Sequence, residues 1–166
     1  MPLPLNRRVL DQHFGDLWPI HNEGFTALLI ECRRLFDGDM DQLLILSVIG
    51  DRTLTQERAK GLSYREFLEG GRTRGEPRRI NTQSVADCTG IPRETVRRKI
   101  NRLISRGWVK KNEDGTVQAT HAAAEDLAPA TEVSLEYFFA LGNLLIDKLD
   151  RLPGEKERSC PGKPET

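Results

Sequence analysis

The sequence predicts a mainly α-helical protein that carries a single small β-hairpin. Helix-capping pairs and apolar residues at helical spacing occur on both sides of a central segment. Within that segment, one turn signal is flanked by two strand-like stretches. With 166 residues, of which 37% are hydrophobic, the chain is long enough to form one compact core with helical extensions.

Two helices are predicted near the N-terminus. The first has an amphipathic stripe that stops at Asp37–Gly38 and comprises Phe25, Leu28, Leu29, Cys32, Leu35 and Phe36. Asp39 with Gln42 is typical of a capping pair, and it precedes Leu43–Ile49, a run too apolar to be exposed on any side. A short strand is the alternative for this run, but the cap and the polar continuation Thr55–Lys60 favour a helix.

A second capping pair, Ser63 with Glu66, predicts a short helix that Gly70–Gly71 terminates. Residues 70–79 then contain three glycines, one proline and four arginines, which indicates a basic loop.

Residues 82–101 meet the packing requirements of two short helices joined by a tight turn. Such a pair needs a small residue where the helices touch, a residue that tolerates unusual backbone angles at the turn, and apolar side chains that pack the two helices together. Ala86, Gly90 and Val96 occupy those positions. Val85 and Ile91 add apolar contacts, and Pro92 suits the first turn of the second helix. The pattern predicts a helix-turn-helix.

The second of these helices has one apolar and one strongly basic face. Its core stripe consists of Val96, Ile100, Leu103 and Ile104. The outward positions are Arg93, Glu94, Arg97, Arg98, Asn101 and Arg102. Solvated helix faces usually mix lysine, glutamate and arginine. Four arginines with one glutamate and one asparagine therefore form a surface that is unusually rich in arginine. That surface is suited to phosphates and to purine edges.

The segment after Gly107 predicts a hairpin. Trp108–Lys111 can form one strand, Asn112–Gly115 carries a turn signal, and Thr116–Thr120 can return as the second strand. Helix, helix, hairpin is the order of a winged helix-turn-helix. The acidic hairpin tip, Glu113 and Asp114, is expected to stay clear of DNA, whereas Lys110 and Lys111 at its base are candidates for phosphate contacts.

The charge distribution agrees with a nucleic-acid partner. The chain has 25 basic and 25 acidic residues, yet residues 72–111 contain 12 Lys or Arg and only three acids. This window carries +9, so the remainder carries −9. The alternative is a basic helix that is merely solvated. The loop at 70–79 either touches the DNA backbone or is a solvated connection, and the sequence favours neither.

Two C-terminal helices are predicted. His121–Leu127 is Ala-rich and ends before Pro129, and Thr131 is expected to cap a long helix. The apolar residues of that helix occupy more than one stripe: Val133, Leu135, Tyr137, Phe138, Phe139, Leu141, Leu144, Leu145, Ile146 and Leu149. Such a helix must be covered on two sides, which favours a homodimer. The alternative is a helix sandwiched within the monomer by the N-terminal helices.

The run Arg93-Glu94-Thr95-Val96-Arg97-Arg98 resembles the recognition helix of the cyclic-AMP receptor protein (Crp/Fnr) family, whose pattern is R-E-T-V-x-R. The resemblance covers residues 80–120 and implies that Arg93, Glu94 and Arg98 reach base edges in the major groove. No glycine-rich β-roll precedes the segment, so a cyclic-nucleotide domain is not expected. The order and length of the whole chain resemble the MarR family of small dimeric regulators.

The motif residues and the regions of the chain are expected to have distinct roles. Base reading is assigned to Arg93, Glu94 and Arg98. Backbone or supporting contacts are assigned to Thr82, Gln83, Thr95, Arg97, Asn101, Arg102, Lys110 and Lys111. We expect residues 1–71 to form a helical scaffold and dimerisation region, 72–120 the DNA-binding region, 121–152 further dimerisation helices, and 153–166 a disordered tail.

Other kinds of site are not expected. Asp37, Asp39 and Asp41 resemble the start of a calcium loop, but Gln42 replaces the required glycine and Val48 the closing glutamate. The histidines and cysteines have no metal-ligand spacing, and no catalytic motif or cofactor loop stands out, so neither an enzyme nor a cofactor is predicted.

Cys32 and Cys88 are interpreted as buried thiols of a reducing cytoplasm, with redox sensing as the alternative. No signal peptide or membrane span is recognised.

The sequence therefore favours a homodimeric, sequence-specific transcriptional regulator that binds double-stranded DNA. The alternative is a winged-helix module that binds an acidic partner, or nucleic acid non-specifically, within a larger assembly. A pocket between the N-terminal helices and the winged segment could take a small apolar or aromatic effector, although the same residues would suit a dimer core.

Overall fold

A computed structural model of the chain describes residues 7–71 and 73–150. These residues are mainly helical, with one two-stranded antiparallel sheet, as predicted. In chain order the elements are α1 (Arg7–Gln12), α2 (Phe14–Leu35), α3 (Met40–Thr53), α4 (Gln56–Ala59), α5 (Tyr64–Leu68), α6 (Thr82–Thr89), α7 (Arg93–Ser105), β1 (Val109–Lys111), β2 (Val117–Ala119), α8 (His121–Asp126) and α9 (Ala128–Asp150). The tail predicted to be disordered, 153–166, lies outside the described residues.

Local signals account for most of these boundaries. Asp37 and Gly38 have positive φ angles of 53° and 80°, which end α2, and Asp39 then caps α3 by accepting a hydrogen bond from the backbone N–H of Gln42. The apolar run 43–49 is therefore helical. The capping box between Ser63 and Glu66 is present at the start of α5.

The expected start of the long C-terminal helix is wrong. Thr131 does not cap it, because α9 begins at Ala128 and Pro129 lies in its first turn. Proline is favoured there, since its fixed φ suits the helix and its missing N–H would have no partner. The hydroxyl of Thr131 instead donates to the carbonyl of Leu127.

The described residues form two compact units: one within 27–133, and one that combines residues up to 26 with residues from 134 onward. The core of the larger unit brings α3, α6, α7 and the hairpin together. Its most deeply buried side chains are Phe36, Ile45, Ile49, Val85, Val96, Leu103, Trp108 and Val117. The predicted helix-turn-helix stripe thus packs on α3, whose Ile45 and Ile49 have no exposed surface.

In the smaller unit, the first half of α2 packs against α9. A Cβ atom at Gly24 would overlap the ring of Tyr137, so glycine allows the two helices to approach closely. The hydroxyl of Tyr137 is hydrogen-bonded to His21, and Lys148 forms an ion pair of 2.8 Å with Asp16. Large apolar side chains nevertheless stay exposed in this unit: Phe14, Trp18, Phe25, Leu135, Phe138, Phe139 and Ile146.

No helix in residues 7–71 or 73–150 combines the length and the apolar character that a membrane crossing requires.

Candidate nucleic-acid interface

The turn between α6 and α7 has the geometry that its sequence predicts. Gly90 has φ 72° and ψ 2°, a left-handed conformation that favours glycine, and its N–H donates to the carbonyl of Ala86. Ala86 and Val96 are buried at the helix contact. Pro92 occupies the cap position of α7, one residue before the helix, and so lies just outside the first turn.

The two faces of α7 differ as expected. Val96, Ile100 and Leu103 are buried, and Ile104 is half-buried. All six outward positions are exposed: Arg93, Glu94, Arg97, Arg98, Asn101 and Arg102. The remaining assigned residues of the two helices are the half-buried Thr82 and Thr95 and the exposed Gln83, whose amide donates to Asp87. The helix therefore presents a basic face to solvent and is held by its apolar face.

Glu94 and Arg97 form a two-point ion pair on the exposed face. The Arg97 Nε and Nη2 atoms lie 2.9 and 2.6 Å from the two carboxylate oxygens of Glu94. Hydrogen bonding from Arg97, together with the nearby charges of Arg98 and Arg93, lowers the pKa of Glu94. The pair thus favours the ionised form of Glu94, in which both carboxylate oxygens act only as hydrogen-bond acceptors.

Lys99 is a site residue that the sequence did not single out. It lies among the core positions of α7, only 8% exposed, and its Nζ is 2.5 Å from Asp39 Oδ1 and 3.5 Å from Asp41 Oδ2. The exposed Arg102 approaches the same carboxylate at 3.9 Å. Asp39, considered above as part of a calcium loop, is therefore a helix cap and an ion-pair partner.

The α7 helix is also anchored at its C-terminal end. The Arg106 guanidinium lies 3.6 Å from the centroid of the Trp108 ring and donates to the carbonyl of Leu35. Trp108 is buried, packs edge-on against Phe36, and donates its indole N–H to Asp126 Oδ2 at 2.6 Å. These contacts join the end of α7 to α2 and to α8.

The hairpin has the predicted strands and turn. Lys110 pairs with Gln118 in an antiparallel register, and the side chains of Lys110 and Lys111 are exposed. At the tip, Asp114 accepts from the N–H and the hydroxyl of Thr116, which lowers the pKa of Asp114. Arg79 lies 3.6 Å from the same carboxylate. The acidic tip is therefore partly neutralised from within the chain.

The residues just before α6 form a connection that the sequence did not predict. Ile80 accepts a backbone hydrogen bond of 2.9 Å from Val117, and Asn81 forms an isolated bridge with Thr116. Asn81 also caps α6 through its side chain. Asparagine followed by helix-forming residues is a local signal that could have identified this cap, whereas the pairing with Thr116 depends on the folded hairpin.

The basic loop is only partly described, since Arg72 lies outside the described residues. Within the described part, the backbone N–H of Arg78 donates to the carbonyl of Arg52, and Arg58 donates through its side chain to Thr73 and to the carbonyl of Gly75. The loop is thereby held against α3 and α4.

The prediction for the two cysteines is half wrong. Cys32 is buried, and burial raises the pKa of its thiol. Cys88 is exposed, because α6 turns Val85 and Ala86 to the core and places Cys88 beside that stripe. Among the described residues, no group of three or more His, Cys, Asp or Glu side chains could hold a metal ion.

Comparison with known proteins finds no match: no protein-family model, no curated protein and no solved structure corresponds to this chain. The geometry and charge of α7 and of the hairpin are therefore the features that indicate a function.

Proposed function

We propose that the chain is a sequence-specific, DNA-binding transcriptional regulator that acts as a homodimer and inserts α7 into the major groove. The observation that carries this proposal is the exposed face of α7, which holds four arginines, a glutamate and an asparagine, while its opposite face is buried. An α-helix fits the major groove, and arginine donors match the guanine acceptors there. The arrangement of α6, α7 and the hairpin supports a winged helix-turn-helix.

The proposed roles follow from position and chemistry. Arg93, Glu94 and Arg98 read bases, with arginine donating to guanine and Glu94 accepting from cytosine N4. Backbone contacts come from Arg97, Arg102, Lys110 and Lys111, supported by the other assigned polar residues. On binding, Glu94 exchanges its Arg97 partner for a base, which frees the Arg97 guanidinium for a phosphate.

The homodimer is supported by the exposed apolar side chains of the smaller unit. Phe138 and Phe139 on α9 are 63% and 71% exposed, and Trp18 on α2 is 48% exposed. A second copy would cover these side chains, because large exposed apolar surface marks interaction sites. A dimer would also supply two α7 helices, one for each half-site of a two-fold symmetric DNA sequence.

Selection of bound duplexes from a random DNA pool tests the proposal, combined with affinity measured against salt concentration. We expect an enriched two-fold symmetric sequence, a steep salt dependence, and a large ratio of specific to non-specific affinity. Equal affinity for every duplex would contradict the regulator and favour the alternative, a winged-helix module that binds nucleic acid non-specifically. Binding to an acidic protein without any DNA affinity would favour the other form of that alternative.

A further inference from the structure

The larger unit contains a cavity of about 590 Å³ that the DNA-binding proposal does not use. Its walls come from α3, from the α4–α5 excursion, which is the segment 54–73 that contains these two short helices, and from β2 and α8. Sites for small molecules typically have volumes of roughly 300 to 1,000 Å³. The cavity is therefore of the right size for one small organic molecule.

Hydrocarbon dominates the walls of this cavity. The large apolar side chains that line it include Leu43, Leu46, Leu54, Leu62, Phe67 and Leu127. Apolar surface that surrounds an apolar guest gains free energy by excluding water from both. The occupant should accordingly be predominantly apolar.

The hydroxyl groups along the walls already have partners inside the protein. Ser47 and Thr53 each donate to a carbonyl one helical turn back, those of Leu43 and Ile49, at 2.9 Å. The Thr120 hydroxyl likewise donates to the carbonyl of Gly107. Because these hydroxyl groups already donate hydrogen bonds within the protein, an occupant does not need to accept hydrogen bonds from them.

The two opposite charges at the walls also argue against an ionic occupant. Arg58 is held by the carbonyl of Thr53, the hydroxyl of Thr73 and the carbonyl of Gly75. Asp51, whose side chain is 76% exposed and lies 3.9 Å from Arg52, lines the same cavity with the opposite charge, and His121, 3.4 Å from Glu125, also lines it. A charged occupant would lose its hydration in the cavity, and the walls carry both positive and negative groups, so neither sign of charge is favoured. An uncharged molecule therefore fits better.

Gly50 is the position at which the volume of the cavity can be changed most simply. It lies inside α3, where glycine costs stability relative to alanine. A Cβ atom at Gly50 would meet no other atom within 4 Å, so no packing contact requires glycine at this position. Gly50 lines the cavity, and any larger side chain there would occupy its space.

We propose that this cavity is a binding site for a small, uncharged, predominantly apolar molecule. An occupant would contact α3 and β2 at the point where they are joined, because Thr53 accepts a hydrogen bond of 2.9 Å from the backbone N–H of Ala119 and both residues line the cavity. The site is distinct from the proposed DNA contacts, and its occupancy does not depend on them.

The test uses the full chain and N-phenyl-1-naphthylamine, an uncharged apolar dye whose fluorescence rises in apolar surroundings. The wild-type protein should bind the dye saturably, and Gly50→Ala should bind it within about twofold of the wild type, since one methyl group leaves most of the cavity open. Gly50→Phe should weaken binding at least tenfold, with an unchanged circular dichroism spectrum. Wild-type affinity in a folded Gly50→Phe variant would overturn the proposal and assign the dye to the exposed aromatic side chains of the smaller unit.

A second measurement tests whether the dye binds in the cavity and needs no variant. In ¹⁵N–¹H spectra of the wild-type protein, the dye should shift the backbone amide signals of Gly50 and Ala119, while that of Lys148 in the smaller unit should stay unchanged. Unchanged signals of Gly50 and Ala119 at saturating dye would overturn the proposal. Neither measurement includes DNA, so failure of the ligand site and failure of the DNA-binding proposal are distinguishable.

Discussion

The ammonium group of Lys99 lies 2.5 Å from the carboxylate of Asp39, and this ion pair joins the inner side of α7 to the first turn of α3. Asp39 also accepts hydrogen bonds from the backbone and the side chain of Gln42. One carboxylate therefore caps α3 and binds α7. The orientation of the proposed recognition helix depends on this charge pair as well as on apolar packing.

Replacing Lys99 by methionine removes the ammonium group and keeps a side chain of similar length. It leaves the Asp39 carboxylate, 20% exposed, without its main cation. Breaking such a pair from one side should lower the free energy of unfolding by about 3 kcal/mol. Urea unfolding measures this loss, and Arg98→Met on the exposed face of the same helix serves as the matched control, expected within about 0.5 kcal/mol of the wild type. Equal stability of the two variants would contradict the role of Lys99.

Stability should depend on pH through Asp39. Burial, the largest influence, raises the pKa of Asp39, but the hydrogen bonds from Lys99 and Gln42 together outweigh it and lower the pKa below its ordinary value. A lowered pKa in the folded state contributes stability that is present above the unfolded-state pKa, about 3.9, and is lost as the pH falls through the folded-state pKa.

The difference in unfolding free energy between the wild type and Asp39→Asn isolates this contribution from other carboxylates. It should be constant above about pH 5 and should shrink below about pH 4. Urea titrations at several pH values measure it. A difference that stays constant down to pH 3 would show that Asp39 does not titrate in this way.

Asp126→Ala should destabilise the larger unit through Trp108. Trp108 is 1% exposed, and its indole N–H donates to Asp126 at 2.6 Å. Without an acceptor this buried donor is unsatisfied, at a cost of about 1 to 3 kcal/mol. Unfolding followed by far-ultraviolet circular dichroism measures the change. Asp126→Asn retains an acceptor oxygen and should recover most of the loss, whereas equal losses in both variants would point to the charge of Asp126 instead.

Arg98→Ala should weaken binding at the selected DNA sequence by about 1 to 3 kcal/mol and relax the preference for one base. The physical reason is the loss of a guanidinium that donates to two acceptors of one guanine. Lys110→Ala should instead weaken binding to all duplexes alike and reduce the salt slope by about one, as expected for one phosphate contact.

Fluorescence anisotropy with the selected and with scrambled duplexes separates the two effects. Arg65→Ala is the control, because this arginine is exposed, pairs with Glu69 and lies outside the proposed interface. If Arg98→Ala lost the same affinity for the selected and the scrambled duplexes, Arg98 would not be a base-reading residue.

Phe138→Glu should dissociate the proposed homodimer. The Phe138 ring is 63% exposed on α9, and a carboxylate in its place would be desolvated by a second copy. Sedimentation velocity should show a monomer for Phe138→Glu and a dimer for both the wild type and Phe138→Leu, which keeps the surface apolar. A monomeric wild-type protein at tens of micromolar concentration would contradict the homodimer.

Interactions between residues close in the chain were predictable. The caps at Asp39 and Ser63, the left-handed glycine at Gly90 and the hairpin turn at 112–115 each depend on groups within about four residues of one another. The exposed face of α7 was also predictable, because helical periodicity assigns each side chain to a face once the apolar stripe is known.

Periodicity identifies a face but not what that face contacts. Cys88 and Lys99 show this limit: the burial expected for Cys88 was wrong, and nothing local indicated that Lys99 would be buried beside Asp39, sixty residues earlier. The pairing of Ile80 with Val117 and the cavity beside Gly50 likewise required α3, the α4–α5 excursion and the hairpin to be placed in space.

The sequence by itself therefore determined most of the helices, the caps at Asp39 and Ser63, the tight turn and the basic face of α7, since short-range hydrogen bonds and side-chain periodicity specify them. Only the tertiary structure decided which charges are buried, how α7 is fixed to α3, and where an apolar cavity stays open. Those features arise from contacts between residues distant in the chain, where the free energy of each group depends on what packs against it.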